Sequence, residues 1–270
     1  GVGTYTVDNS GNVTLIPEPN FNGNADIDYT VKDNDGLESN PATIGISVSP
    51  VNDAPNAVAD VNSTQEDTPL IVNATNGVLS NDTDLENTQL TVLEFTVNGT
   101  DYPAGTTATI TEGTIVINSD GSYTYTPSLD FTGTLPQVTY TVSDGTDNVS
   151  TTLDITVTDQ NDAPIANDDT AITVQNTAIT VATIGANDTD TDGTIDSSTV
   201  ILIDPNNPSN TGDSTTPLVI TNVGTYTVDN LGNVVFTPEP EFTGESIIDY
   251  TVKDDSGLDS NIAQITVTVQ

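Results

Sequence analysis

The octapeptide VGTYTVDN occurs twice, at Val2–Asn9 and at Val223–Asn230, and the similarity continues beyond it without a gap. Residues 1–49 and 222–270 share about 30 identical positions at a constant offset of 221. A more divergent copy begins with GSYTYTP at Gly121–Pro127 and contains one inserted residue. Internal repetition of this kind is the mark of a repeat architecture, in which each repeat is one structural unit.

The repeats are bounded by two similar linkers, Val51-Asn-Asp-Ala-Pro55 and Gln160-Asn-Asp-Ala-Pro164. The sequence therefore predicts three segments: residues 1–52 as the C-terminal half of a repeat, and complete repeats over 53–161 and 162–270. Residues 1–50 carry about three strands, too few to bury a core. We therefore expect the chain to be a window from a longer tandem array that lacks the first half of its leading repeat.

Short apolar runs with alternating polarity recur through each repeat, for example at Leu90–Val97, Thr114–Ile117 and Leu153–Val157. Alternation with period two predicts half-buried β-strands, and the turn residues between the runs agree. No run has helical period. Seven strands are predicted in the second repeat, near 57–61, 69–74, 89–98, 113–118, 122–127, 138–143 and 151–158. About seven strands in each repeat indicate an all-β fold of tandem immunoglobulin-like sandwiches, which we expect to form an extended rod.

The acidic charge excludes several classes of partner. Forty Asp and Glu residues against two Lys and Arg give a net charge of −38. Such a chain repels nucleic-acid phosphate and anionic lipid, so no nucleic-acid partner is expected. No stretch approaches the roughly 20 apolar residues that span a bilayer, so no membrane insertion is expected.

The composition also argues against an enzyme. The chain has no His and no Cys, so the usual general base and thiol nucleophile are unavailable. A pair of carboxylates could in principle hydrolyse glycosides, because acids are plentiful. Only 8 Tyr and 5 Phe are available to line a sugar-binding cleft. We therefore expect no catalytic residue.

The acids are mostly Asp, which favours loops that supply oxygen ligands to Ca²⁺. The densest run is DTDTDGTID at Asp188–Asp196, with Asp at positions 1, 3, 5 and 9 and Gly at position 6. This spacing matches the first part of a calcium-binding EF-hand loop, although position 12 is Thr199 rather than Glu. We predict that Ca²⁺ is bound by Asp188, Asp190, Asp192 and Asp196. The alternative is a solvated Asp-rich turn.

Further acids occupy corresponding loops in the other repeats, where ordinary turns are the alternative. The predicted ligands among them are Asp82, Asp84 and Glu86, Asp144 and Asp254, and Asp33 and Asp35. In a seven-strand sandwich these loops lie at the end where the chain enters. There they would meet the linkers, which add Asp53, Asp159, Asn161 and Asp162. The opposite end of the preceding repeat adds Glu66 and Asp67, with Asp130 as a further candidate.

The linker Asp159-Gln-Asn-Asp-Ala-Pro164 resembles the calcium-binding linker of cadherins. The whole pattern over 56–270 resembles the cadherin-like or bacterial immunoglobulin-like repeats of giant bacterial surface adhesins. This resemblance implies an extracellular, cell-surface location and a stalk whose junctions are stiffened by Ca²⁺ in support of cell adhesion. It also implies that the partners are neighbouring repeats of the same longer chain, with an unknown surface ligand contacted by regions outside this segment.

The chain departs from the cadherin pattern at two places. The first linker has Pro50 where the second has Asp159, and the last repeat has Gln175–Asn176 where the middle one has Glu66–Asp67. A rival hypothesis is a module that recognises a carbohydrate or a protein. Its candidate site is the long loop Asp204–Pro217, which contains no aromatic residue for stacking on a sugar.

Overall fold

The computed structural model describes all residues, Gly1–Gln270. The fold is all-β, as predicted, and contains one short 3-10 turn at Ala74–Asn76. No helix is long and apolar enough to cross a membrane. Two compact units make up the chain. Unit one comprises Gly1–Thr64, Thr68–Ser128 and Thr134–Thr156, and unit two comprises Gln65–Asp67, Leu129–Gly133 and Val157–Gln270.

The segment 1–52 in unit one forms only two-stranded ladders. Its strands are β1 (Gly3–Val7), β2 (Val13–Pro17), β3 (Gly23–Asn24), β4 (Ile27–Tyr29), β5 (Ala42–Ile44) and β6 (Ser47–Val48). The pairs are β1 with β2, β3 with β6 and β4 with β5, all antiparallel. Most of its apolar side chains are exposed or only half-buried.

The middle repeat forms a two-sheet sandwich. Its strands are β7 (Asp60–Gln65), β8 (Leu70–Val72), β9 (Thr91–Val97), β10 (Thr100–Pro103), β11 (Ala108–Ile110), β12 (Gly113–Ile117), β13 (Tyr123–Pro127), β14 (Gly133–Thr134), β15 (Val138–Ser143) and β16 (Asn148–Thr158). One sheet has the order β10-β9-β15-β16-β14, with β7 also paired to β16, and the other has the order β11-β12-β13-β8. Alternating residues of these strands face the core, among them Phe95, Ile115 and Tyr125.

The last repeat repeats this sandwich within unit two. Its strands are β17 (Asp169–Thr173), β18 (Ile179–Thr183), β19 (Ile195–Asp204), β20 (Asn207–Gly212), β21 (Leu218–Ile220), β22 (Gly224–Val228), β23 (Asn233–Pro238), β24 (Gly244–Asp254) and β25 (Ala263–Val269). The sheet orders are β17-β25-β24-β19-β20 and β18-β23-β22-β21, and β17 runs parallel to β25. Tyr226, Phe236 and Tyr250 lie at the centre of its core.

Three details differ from the sequence predictions. The predicted strand near 57–61 begins only at Asp60, and an unpredicted strand, β10, follows the tight turn at Asn98–Gly99. Both turn residues have positive φ, as a two-residue hairpin requires. Part of the predicted loop Asp204–Pro217 is the hairpin partner of β19, because residues 207–212 form β20 and pair with it.

Candidate metal centres

Each linker is held to the same loop of the repeat that follows it. Asn56 and Thr83 exchange two backbone hydrogen bonds in unit one, and Ile165 and Thr189 do the same in unit two. These bridges fix the acid-rich loops, which follow β8 and β18, directly beside the linkers. Sequence reasoning placed the same loops there.

The linker asparagines hold a buried aspartate in each unit. Asn52 Nδ2 donates to Asp144 Oδ2 at 2.8 Å and to Asp147 Oδ2 at 2.9 Å. Asn161 Nδ2 donates to Asp254 Oδ2 at 2.5 Å. The two arrangements occupy equivalent positions, so this part of the junction is repeated in both units.

Asp254 is 2% exposed, and its Oδ1 accepts three backbone N–H groups of the following turn, from Ser256, Gly257 and Leu258. Desolvation favours the neutral acid, but the bonds from Asn161 and the turn outweigh it and lower the pKa of Asp254. Asp254 is therefore ionised at neutral pH. Its second oxygen, Oδ2, faces the linker.

The same linker–loop contact continues one residue further along. Asp162 N–H donates to both carboxylate oxygens of Asp192 at 3.2 Å, and Asp53 N–H donates to Glu86 Oε2 at 3.2 Å. The acids predicted from the loops thus reach the linker through its backbone. Their remaining lone pairs stay available to a cation.

Unit two contains a group of three carboxylates that lies beside this linker. Oxygens of Asp67, Asp130 and Asp162 all lie within 4.8 Å of one another. Asp67 and Asp130 both have positive φ, at 54°, and Asp130 N–H donates to Asp67 Oδ1 at 3.2 Å. The left-handed turns aim the two side chains at the same point, which Asp162 approaches from the linker. Asp130 was only a further candidate in the sequence, because nothing local marks it as a ligand.

The charges of this group act on Glu66 and Asp162. A hydrogen bond of 2.6 Å from Gln160 N–H favours ionised Glu66, but desolvation and the charges of Asp159, Asp162 and Asp67 raise its pKa. Burial, followed by the charges of Asp130, Asp192, Asp67 and Asp159, likewise raises the pKa of Asp162. Mutual repulsion of this kind is relieved by a bound cation.

The Asp188–Asp196 loop does not form the single EF-hand-like cradle that its spacing suggests. Asp188 is buried, and its oxygens accept bonds from Asn167 N–H, Gly185 N–H and the Tyr250 hydroxyl. Asp196 lies in β19, where its Oδ1 accepts two bonds from Ser198. No three of the four acids have carboxylate oxygens within 4.8 Å of one another.

The other two acids of that loop are Asp190 and Asp192. Asp190 Oδ1 accepts Gly193 N–H at 3.2 Å, whereas its Oδ2 is buried without a hydrogen-bond partner. A buried carboxylate oxygen without a partner is costly unless a cation or a proton satisfies it.

In unit one, Asp84 corresponds to Asp190, and Asp82 corresponds to Asp188 but has one oxygen without a partner. Asp82 Oδ1 accepts Val58 N–H and Asp84 Oδ1 accepts Thr88 N–H, and both Oδ2 atoms are buried without a partner. Burial, opposed by the Val58 bond, raises the pKa of Asp82.

Asp33 and Asp35 lie in an exposed turn of the segment 1–52. Asp33 Oδ1 accepts backbone bonds from Asp35 and Leu37 within its own exposed turn. Neither residue belongs to a group of three carboxylates.

Sequence reasoning named Asp82 and Asp188 but missed the carboxylate that lies near each of them, Asp60 and Asp169. The Tyr140 hydroxyl donates to Asp60 Oδ2 at 2.6 Å. The charge of the nearby Asp82 also raises the pKa of Tyr140. In unit two the equivalent pair is Asp169 and Asp188, where burial and the charge of Asp188 raise the pKa of Asp169 to about 6. The identical spacing of Asp60 and Asp169 from the two linkers was the available signal.

The donor sets suit Ca²⁺, which prefers six to eight oxygen ligands and accepts carboxylates and carbonyls. The unit-two group offers Asp67, Asp130 and Asp162, and the loop adds the unpartnered Asp190 Oδ2. No soft ligand is present, since the chain lacks Cys and His. The residues therefore fit a hard divalent cation.

Sequence comparison identifies the repeats. The family model described as bacterial cadherin-like domain matches residues 52–159 and 161–270. This chain belongs to the bacterial cadherin-like domain family. A second model, described as bacterial Ig domain, matches residues 1–47 of this cadherin-like chain. No curated protein shows significant sequence similarity to it.

Solved structures similar to the cadherin-like chain include cadherin ectodomains. Mouse protocadherin-24 EC1–3 superposes with a TM-score of 0.52 and 14% identity, covering 98% of this chain and 86% of that one. Human protocadherin-24 EC1–2 gives 0.45 and 14%, covering 82% and 99%, and mouse clustered PcdhgC3 EC1–3 gives 0.47 and 14%, covering 98% and 85%. The first of these confirms the tandem cadherin-like fold.

Domains of these two families are typical of extracellular surface proteins and are typically non-enzymatic. The chain is thus an extracellular adhesion-type repeat region. Cadherin-like domains generally bind Ca²⁺, and the acidic group in unit two is consistent with that property.

Proposed function

We propose that this segment is part of the stalk of a large bacterial surface adhesin, and that Ca²⁺ bound at its linkers makes the stalk stiff. The observation that carries the proposal is the group formed by Asp67, Asp130 and Asp162. A cation there would hold the turns after β7 and β13 to the linker residue Asp162. The repeats of a spacer need length and regularity rather than a unique pocket, and the near-identity of 1–49 and 222–270 suits that role.

The hydrogen bonds of the linker support the same proposal. Asn161 and Asp162 bond to Asp254 and Asp192, so protein contacts hold the linker against the acidic loops. A preformed site loses little conformational entropy when it binds. Ca²⁺ would add the remaining connection by neutralising carboxylates that otherwise repel one another.

The proposed ligands in unit two are Asp67, Asp130 and Asp162 with Asp190, Asp192 and Asp254. Glu66 and Asp159 lie close enough to Asp162 for their charges to influence its group, and they would join the set. In unit one the equivalent ligands are Asp53, Asp84, Glu86 and Asp144. Asp82 would join them, because its Oδ2 is buried without a partner as that of Asp84 is. Asp188 and Asp196 would instead support the fold, because Asp188 accepts bonds on both oxygens, one of them from the core Tyr250 hydroxyl, and Asp196 lies in β19.

Thermal melting of the full chain in EDTA and in millimolar Ca²⁺ tests the proposal, with Mg²⁺ as the ion control. A ligand that binds only the native state raises the melting temperature by mass action. The matched variants are Asp162→Asn and Asp53→Asn, which remove the same carboxylate from the two linkers. We expect Ca²⁺ to raise the melting temperature of the wild type, and Asp162→Asn to lose much more of that rise than Asp53→Asn.

Equal melting curves in EDTA and Ca²⁺ would contradict the proposal, because the acids would then be solvated turns. An equal rise with Mg²⁺ would also contradict it, since Mg²⁺ demands a smaller octahedral site. A normal Ca²⁺ response in Asp162→Asn would show that the cation binds elsewhere.

A recognition module is the second candidate, and a cavity beside the β19–β20 hairpin favours it. This cavity of about 410 Å³ is lined at the hairpin by Asp204, Pro205 and Asn206 and on the sheets by Ile220 and Ser246. No aromatic residue lines it, which weakens stacking on a sugar. A glycan-array signal that is lost on replacing Asp204–Asn206 with Gly-Ser-Gly would support recognition, and the absence of any signal would count against it.

A further inference from the structure

Strand β24 of the last repeat extends beyond the partner strand on one of its sides. It spans Gly244–Asp254, and its pairing with β19 ends at Asp249, which lies opposite Ile203. Just beyond Ile203 the chain turns back into β20. On its other side β24 pairs with β25 as far as Gly244. The stretch 244–248 therefore has one paired edge and one open edge.

The open edge carries unpaired backbone groups. Lys253 N–H donates to Thr199 Oγ1 in β19 at 2.8 Å, so the backbone of Lys253 points to the β19 side. Backbone groups of successive strand residues point alternately to the two edges, so those of Glu245 and Ile247 point to the same side. Neither residue has a backbone partner there. Two N–H and two C=O groups are thus available to a further strand.

The cavity beside the β19–β20 hairpin lies along this edge, because Glu245, Ser246 and Ile247 all line it. Its inner wall is formed by the buried Ser246 and by the half-buried Ile220 and Val223 of the other sheet. Its outer wall is formed by the exposed side chains of Glu245 and Ile247. Side chains of an extended peptide point alternately to opposite faces. A peptide in this cavity would therefore direct every second side chain to the inner wall.

The charges around the cavity are all negative. Asp204 and Glu245 line it, and Asp249 follows Glu245 on the same face of β24. The only cationic side chain in unit two is Lys253, which is paired with Asp259 at 2.8 Å. No side chain of the unit therefore neutralises the acids of the cavity, and a cationic ligand would be complementary to them.

The middle repeat has no such edge. There β14 ends at Thr134 and β15 begins at Val138, and Pro136 lies in the gap. Proline cannot donate to a sheet and interrupts a strand. Leu135 N–H is already bonded to Ile155 O at 3.0 Å. The middle repeat therefore supplies a comparison within the same chain.

We propose that the open edge of β24 binds an extended cationic peptide of a partner protein, in which Lys or Arg alternates with aliphatic residues. The peptide adds to the sheet as a strand through the backbone groups of Glu245 and Ile247. Its aliphatic side chains contact Ile220 and Val223 on the inner wall. Its cationic side chains lie on the outer face, beside the carboxylates of Glu245 and Asp249.

A second copy of this chain does not meet these requirements. Its net charge is −38, and its two basic residues, Lys32 and Lys253, lie far apart in the sequence. The partner is therefore a different protein. This inference rests on the recognition candidate described above, since it names the class of ligand for the same cavity. It does not depend on the calcium function.

Two labelled peptides of identical composition test the proposal by fluorescence anisotropy with the full chain in EDTA. One alternates Lys with Val, and the other groups all its Lys before all its Val. Both carry the same charge, but only the first places its cationic and aliphatic side chains on opposite faces of a strand. We expect the alternating peptide to bind roughly 10-fold more tightly. Equal affinities would overturn the proposal, because charge alone would then explain the binding.

Hydrogen–deuterium exchange locates the bound peptide. The saturating alternating peptide should slow exchange at the amides of Glu245 and Ile247 by about 10-fold or more and leave Leu135 unchanged. Unchanged exchange at Glu245 and Ile247 would overturn the proposal, because the peptide would then bind elsewhere.

Two variants remove the two kinds of contact. Ile247→Pro deletes an edge donor that has no partner, which an edge strand tolerates, and it should abolish binding. Glu245→Gln removes one exposed charge and should weaken binding roughly 3-fold or more. Its matched control is Glu94→Gln, at an exposed glutamate in the middle repeat, which should bind as the wild type does. Equal weakening by Glu245→Gln and Glu94→Gln would overturn the proposal, even if Ile247→Pro fails to fold.

The glycan-array measurement described above separates this inference from the recognition candidate. A glycan signal that depends on Asp204–Asn206, without binding of the alternating peptide, would leave the recognition candidate standing and overturn the peptide inference. Absence of both signals would overturn both. Because the peptide measurements are made in EDTA, neither result bears on the calcium function.

Discussion

The two linkers of this chain have nearly the same residues and the same hydrogen bonds, yet they differ in the acids that surround them. Asn52 and Asn161 hold equivalent aspartates, and Asp53 and Asp162 donate to equivalent acidic loops. Only Asp162 lies within a group of three carboxylates. The linker sequence therefore sets the hydrogen bonds at each junction, whereas the turns that bear Asp67 and Asp130 set the number of carboxylates around the linker.

The largest expected effect comes from removing the extra carboxylates of the second junction, so that its surroundings resemble those of the first. Replacing Asp67 and Asp130 with Asn keeps the left-handed turns, since Asn tolerates positive φ, but removes two charges. We expect Ca²⁺ affinity to fall roughly 100-fold, because ligand charge sets the affinity of such sites. Calorimetric titration of the double variant against wild type measures this. The control is Asp33→Asn, whose exposed turn lies apart from the group and which should bind as the wild type does.

The next effect concerns the part of the junction that both units share. Asp254→Ala leaves three backbone N–H groups and the Asn161 amide without their acceptor, and Asp144→Ala does the same to two N–H groups and Asn52. Each change should cost about 2 kcal/mol of unfolding free energy. Denaturant unfolding in EDTA checks both. A loss in only one unit would show that the two scaffolds are not equivalent.

A smaller effect compares the half-buried carboxylates Asp60 and Asp169. The pKa of Asp169, raised to about 6, lies above its unfolded value, so the native state binds the proton more tightly. Stability in EDTA should consequently rise as pH falls from 7 toward 5, and Asp169→Asn should reduce that slope by about 1 kcal/mol over the interval. Unfolding free energies at several pH values measure it. Asp60 accepts the Tyr140 and Asn81 bonds, so Asp60→Asn should change the slope less.

The smallest effect concerns the three equivalent tyrosines. Tyr250→Phe and Tyr140→Phe each remove a buried hydroxyl that has protein partners, at a cost of about 1 kcal/mol. Tyr29→Phe should cost nothing measurable in this chain, because its side chain is half-exposed and its hydroxyl is unbonded. Thermal melting of the three variants side by side makes the comparison. A cost for Tyr29→Phe equal to the others would contradict the exposed face.

Much of the fold was predictable because it depends on local patterns. Alternating runs such as Thr114–Ile117 became alternating buried and half-buried strand residues, and the repeats fixed the equivalence of distant segments. Residue spacing says less about contacts that distant segments make. Asp188 was predicted as a ligand, and the structure adds that it is buried and accepts bonds from the Tyr250 hydroxyl and Asn167 N–H.

The exposure of Tyr29 agrees with the prediction that residues 1–50 carry too few strands to bury a core. Identical residues are core in one copy and surface in the other, because burial depends on strands from the other half of the sandwich. The place of Asp130 in the acidic group, by contrast, could not be predicted from its local sequence. Its role depends on a left-handed turn and on a neighbour 63 residues away, Asp67.

Small-angle X-ray scattering of the full chain in EDTA and in millimolar Ca²⁺ tests the central claim most directly. If Ca²⁺ at the second linker stiffens the chain, the wild type should show a narrower distribution of dimensions and a sharper maximum length with Ca²⁺ than without it. Asp162→Asn, in which the linker keeps its length, should show little change. Identical scattering of the wild type with and without Ca²⁺ would contradict the account.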